Sequence, residues 1–244
     1  MRKLALIAAT SLAMGVGSAD AKGLISAWNE CADAGGSKTL IFDCTQGHGT
    51  VYELYDSFVL DAAINGVIEG QGIVDFTFTG SATAPPWWEL ATTGCNDGSL
   101  ILGYLRASTC AGSSNLYCGV TQAICIGSGV TGIGYGFGMP NRNRAIIELT
   151  RPTTSPVDLP AGKHFAWKLQ FLMDNPNALG PCTGCDAACT ITWDNLDVID
   201  NVGGVVHVTS GDADSSPSAC ANVTTCAPIP VVTKTWGRLK ALYR

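Results

Sequence analysis

Eleven cysteines placed behind an export-type leader constrain this 244-residue chain more than any other feature. Met1-Arg2-Lys3 supplies positive charge, residues 4–16 form a short apolar run, and Gly17-Ser18-Ala19-Asp20-Ala21 closes on an A-x-A site. That layout predicts a signal peptide over residues 1–21, cleaved after Ala21, and an exported mature chain. The apolar run is too short for a bilayer and no later stretch reaches about 18 apolar residues, so no membrane span is expected. The cysteines all follow the leader: Cys31, Cys44, Cys95, Cys110, Cys118, Cys125, Cys182, Cys185, Cys189, Cys220 and Cys226. In an oxidising compartment thiols pair, and an odd number leaves one free or joined to a second chain, so an intermolecular disulfide is open to this protein. Proximity pairs Cys31 with Cys44, Cys95 with Cys110, Cys118 with Cys125 and Cys220 with Cys226. The trio Cys182, Cys185 and Cys189 then supplies one bond and the spare thiol.

Staples of this kind suit what the composition allows. Charged residues are 14% of the chain and glycines number 29, while 46% hydrophobic content still provides a core. Few charges and many glycines point to a loop-rich β protein rather than a helical one. A net charge of −6 opposes binding to nucleic acid, whose phosphates it would repel. The sign reverses at the end, where Lys234, Arg238, Lys240 and Arg244 stand with no acid among them.

Period-two patterning runs through residues 22–227. In Ile73-Val74-Asp75-Phe76-Thr77-Phe78-Thr79 the apolar residues Val74, Phe76 and Phe78 share one face, and Asp75, Thr77 and Thr79 the other. Residues 51–59 form a second aromatic and β-branched strand candidate, and 39–44, 99–107, 145–150, 164–173, 190–199 and 204–209 are further ones. Turn formers separate them: Asn65-Gly66, Gly70-Gln71-Gly72, Pro85-Pro86, Asn96-Asp97-Gly98 and Asp174-Asn175-Pro176-Asn177. Residues 110–143 have weak periodicity and read as a long loop. No helical stretch intervenes to build parallel crossovers. The expected fold is therefore all-β, a disulfide-stapled antiparallel β-sandwich of immunoglobulin-like or jelly-roll-like type. After it, Pro228 and Pro230 mark a linker, and Trp236, Leu239 and Tyr243 recur at i, i+3 and i+7. Residues 228–244 thus read as a linker and a short amphipathic basic helix, too short to stand without docking.

Several motifs invite chemistry and are weighed against plainer roles. Cys182-Thr183-Gly184-Cys185 with Cys189 has the C-x2-C spacing of a thiolate metal site, but a closed zinc site needs four ligands and no second pair matches. A disulfide-knotted turn, with Cys182 or Cys185 joined to Cys189, is the expectation, and no metal or cofactor is expected. Gly127-Ser128-Gly129-Val130-Thr131-Gly132 fits G-x-G-x-x-G, yet the glycine-rich run that follows cannot be the helix a dinucleotide site requires. Asp212-Ala213-Asp214-Ser215-Ser216 alternates oxygen ligands but lacks the glycine at position six and the distal glutamate of a calcium loop, so a solvated turn is expected. Trp87 and Trp88, next to Glu89, are candidates for an aromatic platform that binds a sugar ring, against a corner with a tryptophan buried in the sandwich. Glu53, Glu69, Glu89 and Glu148 are scattered and no Ser–His–Asp set is visible, so no catalytic residue is assigned.

The opening Ile25-Ser26-Ala27-Trp28-Asn29-Glu30-Cys31, the segment Asp56-Ser57-Phe58-Val59, Pro86-Trp87-Trp88, the G-M-P-N-R-N-R run of 138–144, the C-T-G-C run of 182–185 with Cys189 and the tail together carry a resemblance. The chain resembles a group of exported, cysteine-containing bacterial proteins that end in W-G-x-x-K-x-L-Y-R and have no assigned activity. The resemblance implies no catalytic residue. It implies that the tail recurs as a terminal element, as a sorting or attachment signal would. Arg244 replaces the terminal aromatic of outer-membrane barrels, and no cysteine at the cleavage site supports a lipid anchor. The expected function is a secreted, periplasmic or cell-surface binding or structural module. Its cell-envelope or extracellular partner would be met by Trp236, Arg238, Lys240, Tyr243 and Arg244. The alternative is an extracellular carbohydrate-active or other hydrolase.

Overall fold

A computed structural model describes residues 22–45, 49–91, 93–103, 110, 114–115, 127–135, 141–150, 152–173 and 181–226. The leader, Cys118, Cys125, the turn expected at 174–177 and the tail expected as a helix lie outside these residues. Along the chain come β1 (Gly23–Trp28), β2 (Thr39–Leu40), β3 (Val51–Leu60), β4 (Ile64–Phe78), β5 (Leu100–Gly103), β6 (Ser114–Asn115) and β7 (Gly127–Tyr135). They are followed by β8 (Arg142–Thr150), β9 (Val157–Leu159), β10 (Gly162–Leu172), β11 (Cys189–Asp200), β12 (Val205–Thr209) and β13 (Ser218–Ala221).

The strands form the two sheets of the expected sandwich. One has the order β1-β3-β10-β5, with β6 also beside β10. The other has the order β2-β13-β11-β4-β8-β7, with β12 beside β11 and β9 beside β4. Pairing is antiparallel except for β6 with β10 and β2 with β13. Alternation decides which side chains meet between the sheets. Leu54, Phe58 and Leu60 of β3 and Trp167, Leu169 and Phe171 of β10 enter the core from one side. Val74, Phe76 and Phe78 of β4 and Ile191, Trp193, Leu196 and Val198 of β11 enter from the other. Each such side chain, taken out of water, contributes about 1.5–3 kcal/mol before chain entropy is counted.

Bulges bring the two largest of these together. The register of β10 slips between Phe165 and Trp167, and that of β11 between Trp193 and Asn195. The rings of Trp167 and Trp193 then lie 4.7 Å apart. They fit because β4 offers Gly72 beneath them, where a Cβ would sit 2.5 Å from Cη2 of Trp167. The turn expected at Gly70-Gln71-Gly72 is thus the middle of a 15-residue strand. A glycine chosen for close approach across the sheets looks, in sequence, like a turn former.

Other differences have similar causes. The stretch read as a long loop holds β7, a strand of low intrinsic β-propensity that pairs with β8 over Gly127–Tyr135. β1, β6, β9 and β13 are further strands that the sequence pattern does not mark. β1 earns its place by register, Trp28 pairing with Leu54 and Leu24 with Phe58. Its other edge is closed by Ser216, whose N–H donates to the Leu24 carbonyl at 2.8 Å.

Candidate functional site

The cysteines show how the sandwich is closed. Cys31 is bonded to Cys110, Cys44 to Cys185, Cys95 to Cys182 and Cys220 to Cys226. The last pair is as expected. The expected bonds of Cys31 to Cys44 and of Cys95 to Cys110 do not form, because sequence neighbours end on different parts of the sandwich. Cys31 and Cys110 join on the outer side of the five-stranded sheet, where they pack with Tyr55 and Phe165 in a second small core. The loop at 182–185 is a disulfide-held turn, but its two cysteines reach out to the 41–45 and 89–98 loops rather than to Cys189. Further bonds pin it: the Trp87 N–H donates to the Thr183 carbonyl at 2.9 Å, and the Asn222 amide to the Cys185 carbonyl at 2.7 Å.

Those pairings also settle the thiolate motif, since Cys182 and Cys185 hold no free thiol. Cys189 is free and buried at 1% exposure, and burial pushes its thiol well above the ordinary value. Among the described cysteines, the free thiol falls in the trio, where the spare was expected. Enclosed between Phe78 and Ala221 in register, it is out of reach of a second chain, so Cys189 cannot supply the intermolecular bond.

Trp87 and Trp88 occupy a 3-10 turn whose N-terminal Pro85 and Pro86 set its direction. Both are core: Trp87 is 4% exposed and Trp88 0%, packed edge to face at 4.9 Å and in contact with Phe42. No sugar ring can stack on them, so the platform is corrected to an aromatic core that also takes in Trp28 and Phe171. Beside them, Glu89 accepts from the Cys95 N–H at 3.4 Å. Glu53 lies on the outer face of β3, where it accepts from Lys168, Gln170 and Tyr55; these contacts hold its carboxyl below its usual value against the opposing effect of burial. Glu69 and Glu148 sit on the outer face of the other sheet, bonded to Gln71 and Thr150. Glu53 and Glu89 therefore stand apart from the rest, while Glu69 and Glu148 share one outer face on the paired strands β4 and β8. Asp212 accepts from the Thr209 N–H at 2.7 Å, which makes its loop a self-satisfied turn.

Two charged groups are built into the sheets themselves. On the outer face of the eight-stranded sheet, Asp75 is covered by Arg142 and by Arg144, whose Nε and Nη2 donate to it at 2.7 and 2.8 Å. On the inner face of the other sheet, Asp56 stands between β1 and β10 in the row Ser26–Asp56–Trp167. Its Oδ1 lies 2.6 Å from Oγ of Ser26, and its Oδ2 accepts from Nε1 of Trp167 at 2.9 Å. Asp56 is 1% exposed, and burial raises its carboxyl to about 7. Next to it, Lys38 donates to the carbonyls of Ser26 and Ser216 at 2.5 and 2.6 Å, and burial lowers its ammonium to about 8. Sequence reasoning passed over this group, although an acid at the inward position between Leu54 and Phe58 is a visible break in the pattern. Sealed from solvent, Asp56 can exchange a proton but cannot touch a substrate.

No helix among the described residues is long and apolar enough to cross a membrane. No family model matches the chain, and no curated protein does. Among solved structures, a chain of a CaDoc0917–CaCohA2 complex is similar over 83% of this chain and 99% of its own, at 12% identity and a TM-score of 0.34.

Proposed function

We propose that the mature chain is an exported structural or binding module, held at the cell surface or in the envelope through its basic tail, residues 228–244. The observation that carries this reading is the set of four disulfides, three of which join residues 79, 141 and 87 positions apart. Bonds of that span fit an oxidising, extracytoplasmic environment. Two of them, Cys44–Cys185 and Cys95–Cys182, also fix the loops around the 182–185 turn, so that the body can bear load or present a rigid surface. The tail adds the means of attachment. Trp236, Leu239 and Tyr243 supply an apolar stripe, and Arg238, Lys240 and Arg244 a basic one, suited to an acidic partner or an anionic surface.

Cell fractionation of the full chain and of a chain lacking 235–244, with melting curves of both, tests the proposal. The truncated protein should keep its melting temperature, since the last cysteine of the framework is Cys226, and should move from the retained fraction to the medium. A large fall in melting temperature with unchanged location would make the tail a piece of the core and end the attachment reading.

A further inference from the structure

We infer that Asp56 is a proton-binding element built into the core, which couples folding of the sandwich to uptake of one proton and makes the protein more stable in mildly acidic surroundings. The inference stands on enclosure and on the partners. Ser26 of β1, Asp56 of β3 and Trp167 of β10 are consecutive in register, so backbone pairing, not side-chain chance, brings them together. A serine is the one neighbour here that suits both states of the acid. When Asp56 is charged, the Ser26 hydroxyl donates to Oδ1. When it is protonated, the same 2.6 Å contact reverses, with Oδ1–H donating to Oγ of Ser26. Oδ2 accepts from the Trp167 indole in either state. Proton uptake therefore removes a buried charge without costing a hydrogen bond.

The groups that act on Asp56 are few. Lys38, from the segment before β2, is the charged neighbour that favours the carboxylate, but its ammonium donates to two backbone carbonyls rather than to the acid. Lys163 acts on Lys38 and is bridged to Asp33 at 2.8 Å. The 214–216 segment contributes the Ser216 carbonyl, with Asp214 at the surface. Across the sandwich, Trp193 and Gly72 meet Trp167 and carry no charge. His164, further along β10, has its imidazole lowered by burial and works in the opposite direction.

The sign follows from linkage. In the unfolded chain the acid loses its proton near pH 4, whereas in the folded protein it holds it to about 7. Between these values the folded state binds the extra proton, so its advantage is complete below the unfolded value and is lost as pH rises through the window.

The test compares denaturant unfolding of the wild type and Asp56→Asn at pH 5 and pH 7. Asparagine keeps the shape and carries no charge at either pH. Relative to the variant, the unfolding constant of the wild type should rise nearly ten-fold from pH 5 to 6 and less as the folded acid begins to ionise, roughly 50-fold over the interval. Subtracting the variant removes His164 and the other groups that do not act on Asp56, with Lys38 remaining coupled to it. Parallel profiles for the two proteins would overturn the inference. Should Asp56→Asn not fold, carboxyl ¹³C titration of wild-type protein labelled at aspartate supplies the same answer. One carboxyl should titrate between pH 6 and 8, and finding every aspartate ionised by pH 5 would overturn it.

Discussion

Replacing Gly72 by alanine probes the contact that joins the two sheets at their centre. In an ordinary strand that change stabilises by about 0.5–1 kcal/mol, because glycine loses more chain entropy on folding. Here the new methyl carbon would lie 2.5 and 2.8 Å from Cη2 and Cζ2 of Trp167 and 3.2 Å from Nε1 of Trp193. Neither ring is free to swing. Trp167 is held by Asp56 at 2.9 Å and Trp193 by the Asn195 carbonyl at 2.8 Å. Overpacking of this kind costs about 1–3 kcal/mol. If Trp167 gives way, loss of its bond to a buried acid adds about 1.5–3 kcal/mol. A net cost of about 3 kcal/mol lowers the melting temperature by roughly 6–12 °C for a domain of this size. Thermal unfolding followed by near-ultraviolet circular dichroism, which reports the paired indoles, is the assay. The control is Gly72→Ala in a Trp167→Phe background, where the smaller ring leaves room and most of the added cost should vanish. An unchanged or raised melting temperature for Gly72→Ala alone would refute the close-packing account, because the sign itself distinguishes the clash from the entropy gain.

Three further outcomes are expected. Asp75→Ala removes the buried acid that Arg142 and Arg144 share, leaving Arg144 its longer bridge to Asp194 at 3.7 Å, and should cost about 1–3 kcal/mol, measured by urea unfolding, while Asp75→Glu should recover part of it. Replacing both Cys44 and Cys185 by serine opens a link spanning 141 residues, for which loop-closure entropy sets about 5 kcal/mol; a loss of about 2–5 kcal/mol is expected, and a loss under 1 would show that the bond adds little. A thiol reagent should find a group that reacts only after unfolding, and Cys189→Ala should abolish that group; reaction in the folded protein at an undiminished rate would contradict the burial of this thiol.

Local pattern and long-range register contribute differently to what could be foreseen. The inward faces of β3, β4, β10 and β11 are legible because alternation is a property of the strand alone, as Val74, Phe76 and Phe78 show. Disulfide partners are not a local property. Cys44 and Cys185 meet only because the 41–45 loop and the turn before β11 reach the same end of the sandwich, beside Phe42 and Trp87. β7 was missed for a related reason. Gly127, Gly129, Gly132 and Gly134 have little strand preference of their own, and pairing with the strongly patterned β8 supplies the order.

Asp56 is the instructive intermediate case. The alternation Leu54, Asp56, Phe58, Leu60 puts a carboxyl among core positions, and that much can be read directly from the chain. What makes the position tolerable cannot be. Ser26 reaches Asp56 through the pairing of β1 with β3, and Trp167 reaches it through a bulge that turns residue 167, not residue 166, toward the acid. A buried acid without those two partners would cost several kcal/mol and would be expected to fail. An inward polar residue in an otherwise regular strand is therefore best treated as evidence that other strands bring donors to it. In this sandwich the donors come from the strands on either side of β3, and the indole that serves the acid also locks the opposite sheet.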